Sequence, residues 1–268
     1  MDFDLLMTDH PAWRPVSTGV RRLLVDDRGS HWLAESDERH QLTMTPPAGA
    51  VPPPTPGFYS APPSQVSARS PLTAPLRTLG VVARFANPSL WDALATAIVR
   101  QVIRAAQARR LYREFCDAYG PRVALFGDKD INAFPSPEHL LALSDADFTI
   151  SGMGFKCRPL RHAARAFLTH GSTWCQLTPS VLVKELQTVK GIGPWSAGAA
   201  VADWSNDWSL YPYGDLAVRT WAGHIAPEYP WPDDEAAFAR AWQRLTGDHL
   251  GTYTLLTLAW GTRHSGAI

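Results

Sequence analysis

The chain has little that would tie it together covalently. Of 268 residues only three are cysteine, Cys116, Cys157 and Cys175, an odd number, widely separated and without a Cys-x-x-Cys pair. That excludes a disulfide framework, a cysteine-based zinc site and a four-cysteine iron–sulfur cluster, and it points to a reducing compartment. Net charge is also missing, because 25 Lys plus Arg balance 25 Asp plus Glu. A protein that attracts polyanions through its overall field is therefore excluded, and any such contact has to come from a local patch. No window approaches the roughly 18 apolar residues needed to span a bilayer. The first residues, Met1-Asp2-Phe3-Asp4, carry acid where an export signal carries Lys or Arg. The reading is a soluble, cytoplasmic protein without membrane contact. The nine histidines have no ligand spacing, so no metal is expected on side chains.

What is present is apolar matter in quantity: 45% of residues are hydrophobic, enough for a substantial core. Three regions differ in texture. Residues 1–45 hold short β-prone runs around the turn Asp26-Asp27-Arg28-Gly29-Ser30 and predict a small meander over 18–44. Residues 46–79 carry ten prolines, which marks a linker or a wrapping segment. Residues 80–268 read as amphipathic helices. One is capped by Ser89 and is expected to run towards Tyr119-Gly120. Others are expected at 138–143, from 145, and at 157–170, 179–191, 194–206, 215–224, 233–246 and 253–262. The body is all-α.

The most informative stretch runs Leu186-Gln187-Thr188-Val189-Lys190-Gly191-Ile192-Gly193-Pro194-Trp195-Ser196-Ala197. A helix that ends in Gly-Ile-Gly and restarts with proline describes a tight helical hairpin over about 182–205. The second helix then offers N–H groups and a positive dipole end to an anion such as a phosphate. An ordinary helical corner with a glycine cap explains the same residues. A helix over 194–206 climbs roughly 18 Å, and the loop 207–214 is long enough to return that distance. Asp215 thus reaches the hairpin, either as an N-cap for the next helix or as a carboxylate facing a pocket.

These residues resemble the helix-hairpin-helix DNA glycosylases, and within them the 3-methyladenine DNA glycosylase II (AlkA-like) branch. Three blocks carry the resemblance in order: 90–101, Leu-Trp-Asp-Ala-Leu-Ala-Thr-Ala-Ile-Val-Arg-Gln; Phe134-Pro135-Ser136-Pro137-Glu138 with Leu143-Ser144-Asp145; and the hairpin followed by Pro212-Tyr213-Gly214-Asp215-Leu216. It covers 87–221 well and the last helices loosely. The implied fold is mainly α, with two helical lobes and a small N-terminal β-containing appendage. The implied activity is monofunctional hydrolysis of the N-glycosidic bond of alkylated purines, of the 3-methyladenine and 7-methylguanine type, in base excision repair. The partner is double-stranded DNA containing damaged bases, and a monomer is expected.

By that resemblance Asp215 is the catalytic carboxylate, because departure of the base builds positive charge on the sugar. Val102, following Gln101, is the wedge that fills the gap left by an everted base, unless it is simply a helix-core position. Arg104, Lys190, Gly191, Ile192, Gly193 and Ser196 join Gln101 and Val102 as DNA contacts, although a solvated helix face explains Arg100 and Arg104 equally well. Trp195 stands where lyase-type relatives carry a Schiff-base lysine, so a water-using mechanism is implied. Trp195, Ala199, Leu216 and Trp260 are the expected walls of the base pocket, with a core role open for both tryptophans. No cofactor is expected beyond a Na+ or K+ held by the backbone carbonyls of Gln187, Val189 and Gly191. Two alternatives stay open: a non-catalytic helix-hairpin-helix DNA-binding protein, and a glycosylase for a bulky alkyl adduct, suggested by the small Ala199 and Ala217.

Overall fold

The computed structural model describes residues 2–45, 51–63, 70–123 and 131–264. Of the proline-rich segment, positions 46–50 and 64–69 lie outside the described residues. The predicted meander forms: β2 (Arg14–Val16), β3 (Gly19–Val25), β4 (His31–Asp37) and β5 (Leu42–Thr45) pair antiparallel in that order. Asp26 closes the β3–β4 turn by accepting the Arg28 and Ser30 N–H groups. Alternation along the strands puts Leu24, Trp32 and Ala34 into one apolar cluster and Leu23 and Leu33 into another. A second sheet has the order β1 (Leu5–Leu6), β7 (Val82–Arg84), β6 (Gly57–Tyr59), with β1 parallel and β6 antiparallel to β7. Proline-flanked Gly57–Tyr59 thus contributes an edge strand, the one sheet position that tolerates such neighbours.

Within the region expected to be all-α, β7 and a short antiparallel pair, β8 (Arg122–Val123) with β9 (Ile131–Asn132), are extended, and the segment expected to be a linker holds the first helix; the helices are α1 (Thr73–Arg77), α2 (Leu90–Arg100), α3 (Ala105–Tyr119), α4 (Pro137–Ala142), α5 (Asp145–Ile150), α6 (Cys157–Trp174), α7 (Pro179–Leu186), α8 (Pro194–Ser205), α9 (Leu216–Ile225), α10 (Glu235–Thr246) and α11 (Leu250–His264). The sequence signals for starts act as expected. Ser89 accepts the Asp92 N–H, and Ser144 and Asp147 form a reciprocal capping box at α5. Two lobes follow from the packing. In one, α2 packs on α3, α6 and α8, with α4 on α6 and α7 on α8; in the other, α9 and α10 pack on α11, which also meets α1. None of the described helices is long and apolar enough to cross a membrane.

One expectation fails in an instructive way. The helix begun at Ser89 does not run to Tyr119; it stops at Arg100 and restarts at Ala105. Neither Pro nor Gly marks the break. It is made by tertiary contacts at Gln101, described below.

The β region is joined to the helices by buried charge. Asp27 accepts the Ser89 hydroxyl at 2.5 Å and the Leu90 N–H at 2.8 Å, capping α2 from a distant turn. Arg84 of β7, 1% exposed, binds Asp9 at 2.9 Å, Asn206 at 2.6 Å and Asp203 of α8. His10 lies 3.3 Å from Asp92 of α2, which also accepts the Tyr112 hydroxyl at 2.7 Å. Burial alone would raise the Asp92 pKa; the His10 charge and hydrogen bond, Arg22 and Tyr112 overcome it and hold it down to about 2. A depressed carboxylate stabilises the fold above its unfolded pKa, and that contribution is lost as pH falls from about 4 towards 2. It amounts to about 2 kcal/mol. We expect Asp92→Asn to show a flatter decline of unfolding free energy between pH 4.5 and 2.5 than the wild type, measured by urea titration.

Candidate functional site

The hairpin is built as its glycines require. α7 ends at Leu186, the chain turns through Gly191 at φ +94°, and Gly193 leads into α8 with Pro194 as the first helical residue. At Gly191 a Cβ would be strained by φ and would meet Pro159 at 3.0 Å. No side chain caps the first turn of α8. Ile192 and Ser196 are buried, whereas Lys190, Gly191 and Gly193 are exposed.

The loop that leads to Asp215 folds back on the hairpin's second helix. The loop after α8 packs so closely that a Cβ on Gly198, one turn into α8, would meet the Leu210 carbonyl at 2.6 Å and Pro212 at 3.3 Å. Asp215 occupies the N-cap position of α9, yet its side chain makes no capping hydrogen bond. The half-buried carboxylate instead accepts the Tyr211 hydroxyl, Oη to Oδ2 at 3.0 Å. Burial raises the Tyr211 pKa, and the Asp215 charge raises it further against the opposing Arg100 charge. Tyr211 is thus a protonated donor at neutral pH, and it rests on Trp208, stacked at 5.2 Å, over whose ring the Arg84 guanidinium also lies, 4.6 Å from the centroid. No local sequence signal distinguishes a tyrosine that anchors a loop or lines a cleft from one that holds a carboxylate.

Gln101 ends α2 with its side chain in the hairpin, where Nε2 donates to Ser196 Oγ at 2.6 Å and Gly191 O at 3.1 Å. This explains the interrupted helix. Gln101 takes an extended conformation, and Val102 is forced to φ +59°. Positive φ is rare for a β-branched residue, and such strain costs on the order of 1–3 kcal/mol. Val102 gains no burial in return: it is 102% exposed. A helix-core position is thereby excluded. Ile103, next in line, packs into the core.

The other candidate residues are distributed unevenly. Trp195, in the first turn of α8, is half-buried, and Ala199 is buried. Leu216 is 68% exposed at the start of α9. Trp260 contacts Trp221 and stacks on His264 at 3.8 Å, so among the described residues its ring contacts are with the middle of α9 and the end of α11 and do not include Trp195. Arg104 is exposed at the N-cap of α3. Of the basic run 156–165, Arg161 is tied to Asp145 and the Leu143 carbonyl, and Lys156 is buried, which leaves Arg158 and Arg165 exposed. Of the carbonyls expected to hold a monovalent cation, Val189 O accepts the Ile192 N–H and Gly191 O the Gln101 amide. A cation fits there only through their second lone pairs. Among the described residues no group of three His, Cys, Asp or Glu side chains forms a metal site.

Comparison with solved structures places this arrangement in a class: the chain has the fold of the helix-hairpin-helix DNA glycosylases. It resembles MBOgg1, solved with a low-affinity DNA ligand, with TM-score 0.73, 14% identity and coverage of 98% of this chain and 94% of that one. The Clostridium acetobutylicum 8-oxoguanine glycosylase/lyase, solved with double-stranded DNA containing cytosine opposite 8-oxoG, gives TM-score 0.71, 14% identity and coverage of 97% and 90%. The 3-methyladenine DNA glycosylase of Archaeoglobus fulgidus gives TM-score 0.70, 17% identity and coverage of 95% and 91%. No protein-family model matches the chain, and no curated protein matches it by sequence.

If the chemistry of this fold class runs through Asp215, Tyr211→Phe is expected to lower single-turnover base excision about tenfold without changing DNA affinity, since a hydrogen bond to a charged group is worth about 1.5–3 kcal/mol. An unchanged rate would make Tyr211 only a loop anchor.

Proposed function

We propose that the protein is a monomeric DNA glycosylase that hydrolyses the N-glycosidic bond of alkylated purines in damaged duplex DNA, the first step of base excision repair. The observation that carries this reading is Asp215: a carboxylate at a helix N-terminus that does not cap the helix and is oriented by Tyr211, whose loop packs on the hairpin's second helix. As the bond to the base breaks, positive charge grows on the deoxyribose, and a fixed carboxylate stabilises it while water attacks. The uncapped first turn of α8, with exposed Gly191 and Gly193, suits a phosphate, and Arg104, Arg158 and Lys190 add positive charge. Val102 is the wedge: exposed, strained and anchored on both sides, it fills the gap left by the everted nucleotide. Trp195 offers an aromatic face to an electron-poor alkylated base and no amine for a Schiff base. A Na+ or K+ at the hairpin carbonyls belongs to the reading, but no step depends on it.

The structural neighbours act, by their names, on 8-oxoguanine as well as on 3-methyladenine. Oxidised purine is therefore the second reading. The test is base release, identified by mass, from duplexes carrying 3-methyladenine, 7-methylguanine, a bulky N7-alkyl guanine or 8-oxoguanine. The expected products are the methylated purines with an intact abasic strand. Release of 8-oxoguanine alone would redirect the assignment, a cleaved strand would contradict the hydrolytic mechanism, and binding without release from any duplex would leave a non-catalytic DNA-binding protein.

A further inference from the structure

One charged group has no task in the proposed chemistry. Lys156 closes the single turn of 3₁₀ helix Gly154–Lys156 ahead of α6 and is 3% exposed. Its Nζ donates to the Gln101 carbonyl at 2.6 Å and lies 5.0 Å from the Phe155 ring. Among the described residues no carboxylate pairs with it; Asp145 is taken by Arg161. Burial pushes the Lys156 pKa down to about 8, so at neutral pH an ammonium is held where its charge is disfavoured. An apolar residue would fill that space at less cost.

The acceptor of this lysine among the described residues, the Gln101 carbonyl, identifies its role. Gln101 terminates α2, and a terminal carbonyl lacks an intrahelical donor and sits at the negative end of the helix dipole. Gln101 is then fixed twice, through its amide by Ser196 and Gly191 and through its carbonyl by Lys156. The next residue is Val102, whose left-handed backbone has to be imposed from outside because valine does not adopt it unaided. The amide contacts reach Gln101 from the hairpin, and the lysine reaches it from the turn before α6.

We infer that Lys156 is a positioning residue that latches the turn 101–104 and so holds Val102 projecting as the wedge. This inference rests on the glycosylase reading, because Val102 needs holding only if it has to enter a duplex. The pre-set turn spares the protein from ordering the wedge when the base leaves the stack, so the lysine acts on eversion and not on phosphate binding.

The experiment uses the full chain and a duplex with 2-aminopurine beside an alkylated purine, whose fluorescence rises on eversion. Lys156→Met removes the donor, Lys156→Gln keeps an N–H without charge, and Lys156→Arg keeps both. We expect Lys156→Met to reduce the eversion signal at least fivefold and kcat about tenfold, with KM for DNA and the unfolding temperature near wild type. Lys156→Arg should recover at least half of the signal, and Lys156→Gln should fall between. Wild-type eversion in a folded Lys156→Met or Lys156→Gln overturns the latch, as does a Lys156→Arg as defective as Lys156→Met, which would make the site one of packing. If the Met variant does not fold, the Gln and Arg variants decide by the same readouts. A wild-type protein that neither everts nor releases a base would instead refute the glycosylase reading itself, and the latch with it.

Discussion

Asp215→Asn is expected to fold, bind duplex DNA with unchanged affinity and lose base release by about a thousandfold, at the upper end of what removing one preorganised electrostatic group costs. The physical reason is that asparagine matches aspartate in shape but brings no charge to the oxocarbenium-like sugar, so the effect falls on the transition state and not on binding. Because the carboxylate forms no helix cap, its loss removes no interaction that holds α9. The Tyr211 hydroxyl retains an acceptor in the amide oxygen. Stability should therefore stay close to wild type, and thermal unfolding run beside the excision assay separates the two effects. Excision at more than a tenth of the wild-type rate would remove Asp215 from the reaction.

Arg84→Met is expected to have the largest effect on stability. Its guanidinium is buried between Asp9 and Asp203 and also bonds Asn206 and the Phe85 carbonyl. Breaking a buried pair from one side leaves uncompensated charge, which costs about 3–5 kcal/mol. For a chain of this size that lowers the unfolding temperature by roughly 10 °C. Asp203 belongs to α8 and Asp9 to the N-terminal segment, so the loss should appear as one cooperative transition at lower temperature. Calorimetry that finds less than about 2 °C would mean that solvent enters and compensates the two acids.

The elements legible in the sequence were those whose signals are local. Ser89, Ser136 and Ser144 each accept an N–H at the start of a helix, and the turn 26–30 closes as its residues imply. Gly191 lies at positive φ in the hairpin, as its type implied. The break between α2 and α3 was not legible. Its residues, Gln101-Val102-Ile103-Arg104, continue an apolar helical period, and what interrupts them are contacts to Ser196, Gly191 and Lys156, as much as 95 positions away. The basic residues between 156 and 165 show the same limit, since their order in the sequence does not record that Lys156 turns inward and Arg161 is occupied by Asp145.

By itself the sequence determined the helical body, the hairpin and the return of the loop before Asp215 onto it, because caps, glycines and loop length act over a few residues. Only the tertiary structure decided that Asp215 leaves its helix uncapped for Tyr211, that Val102 stands exposed and strained, and that buried charge joins the strands to α2 and α8. Those outcomes depend on groups distant in sequence competing for the same carboxylate, carbonyl or amide, and no local pattern records which partner wins.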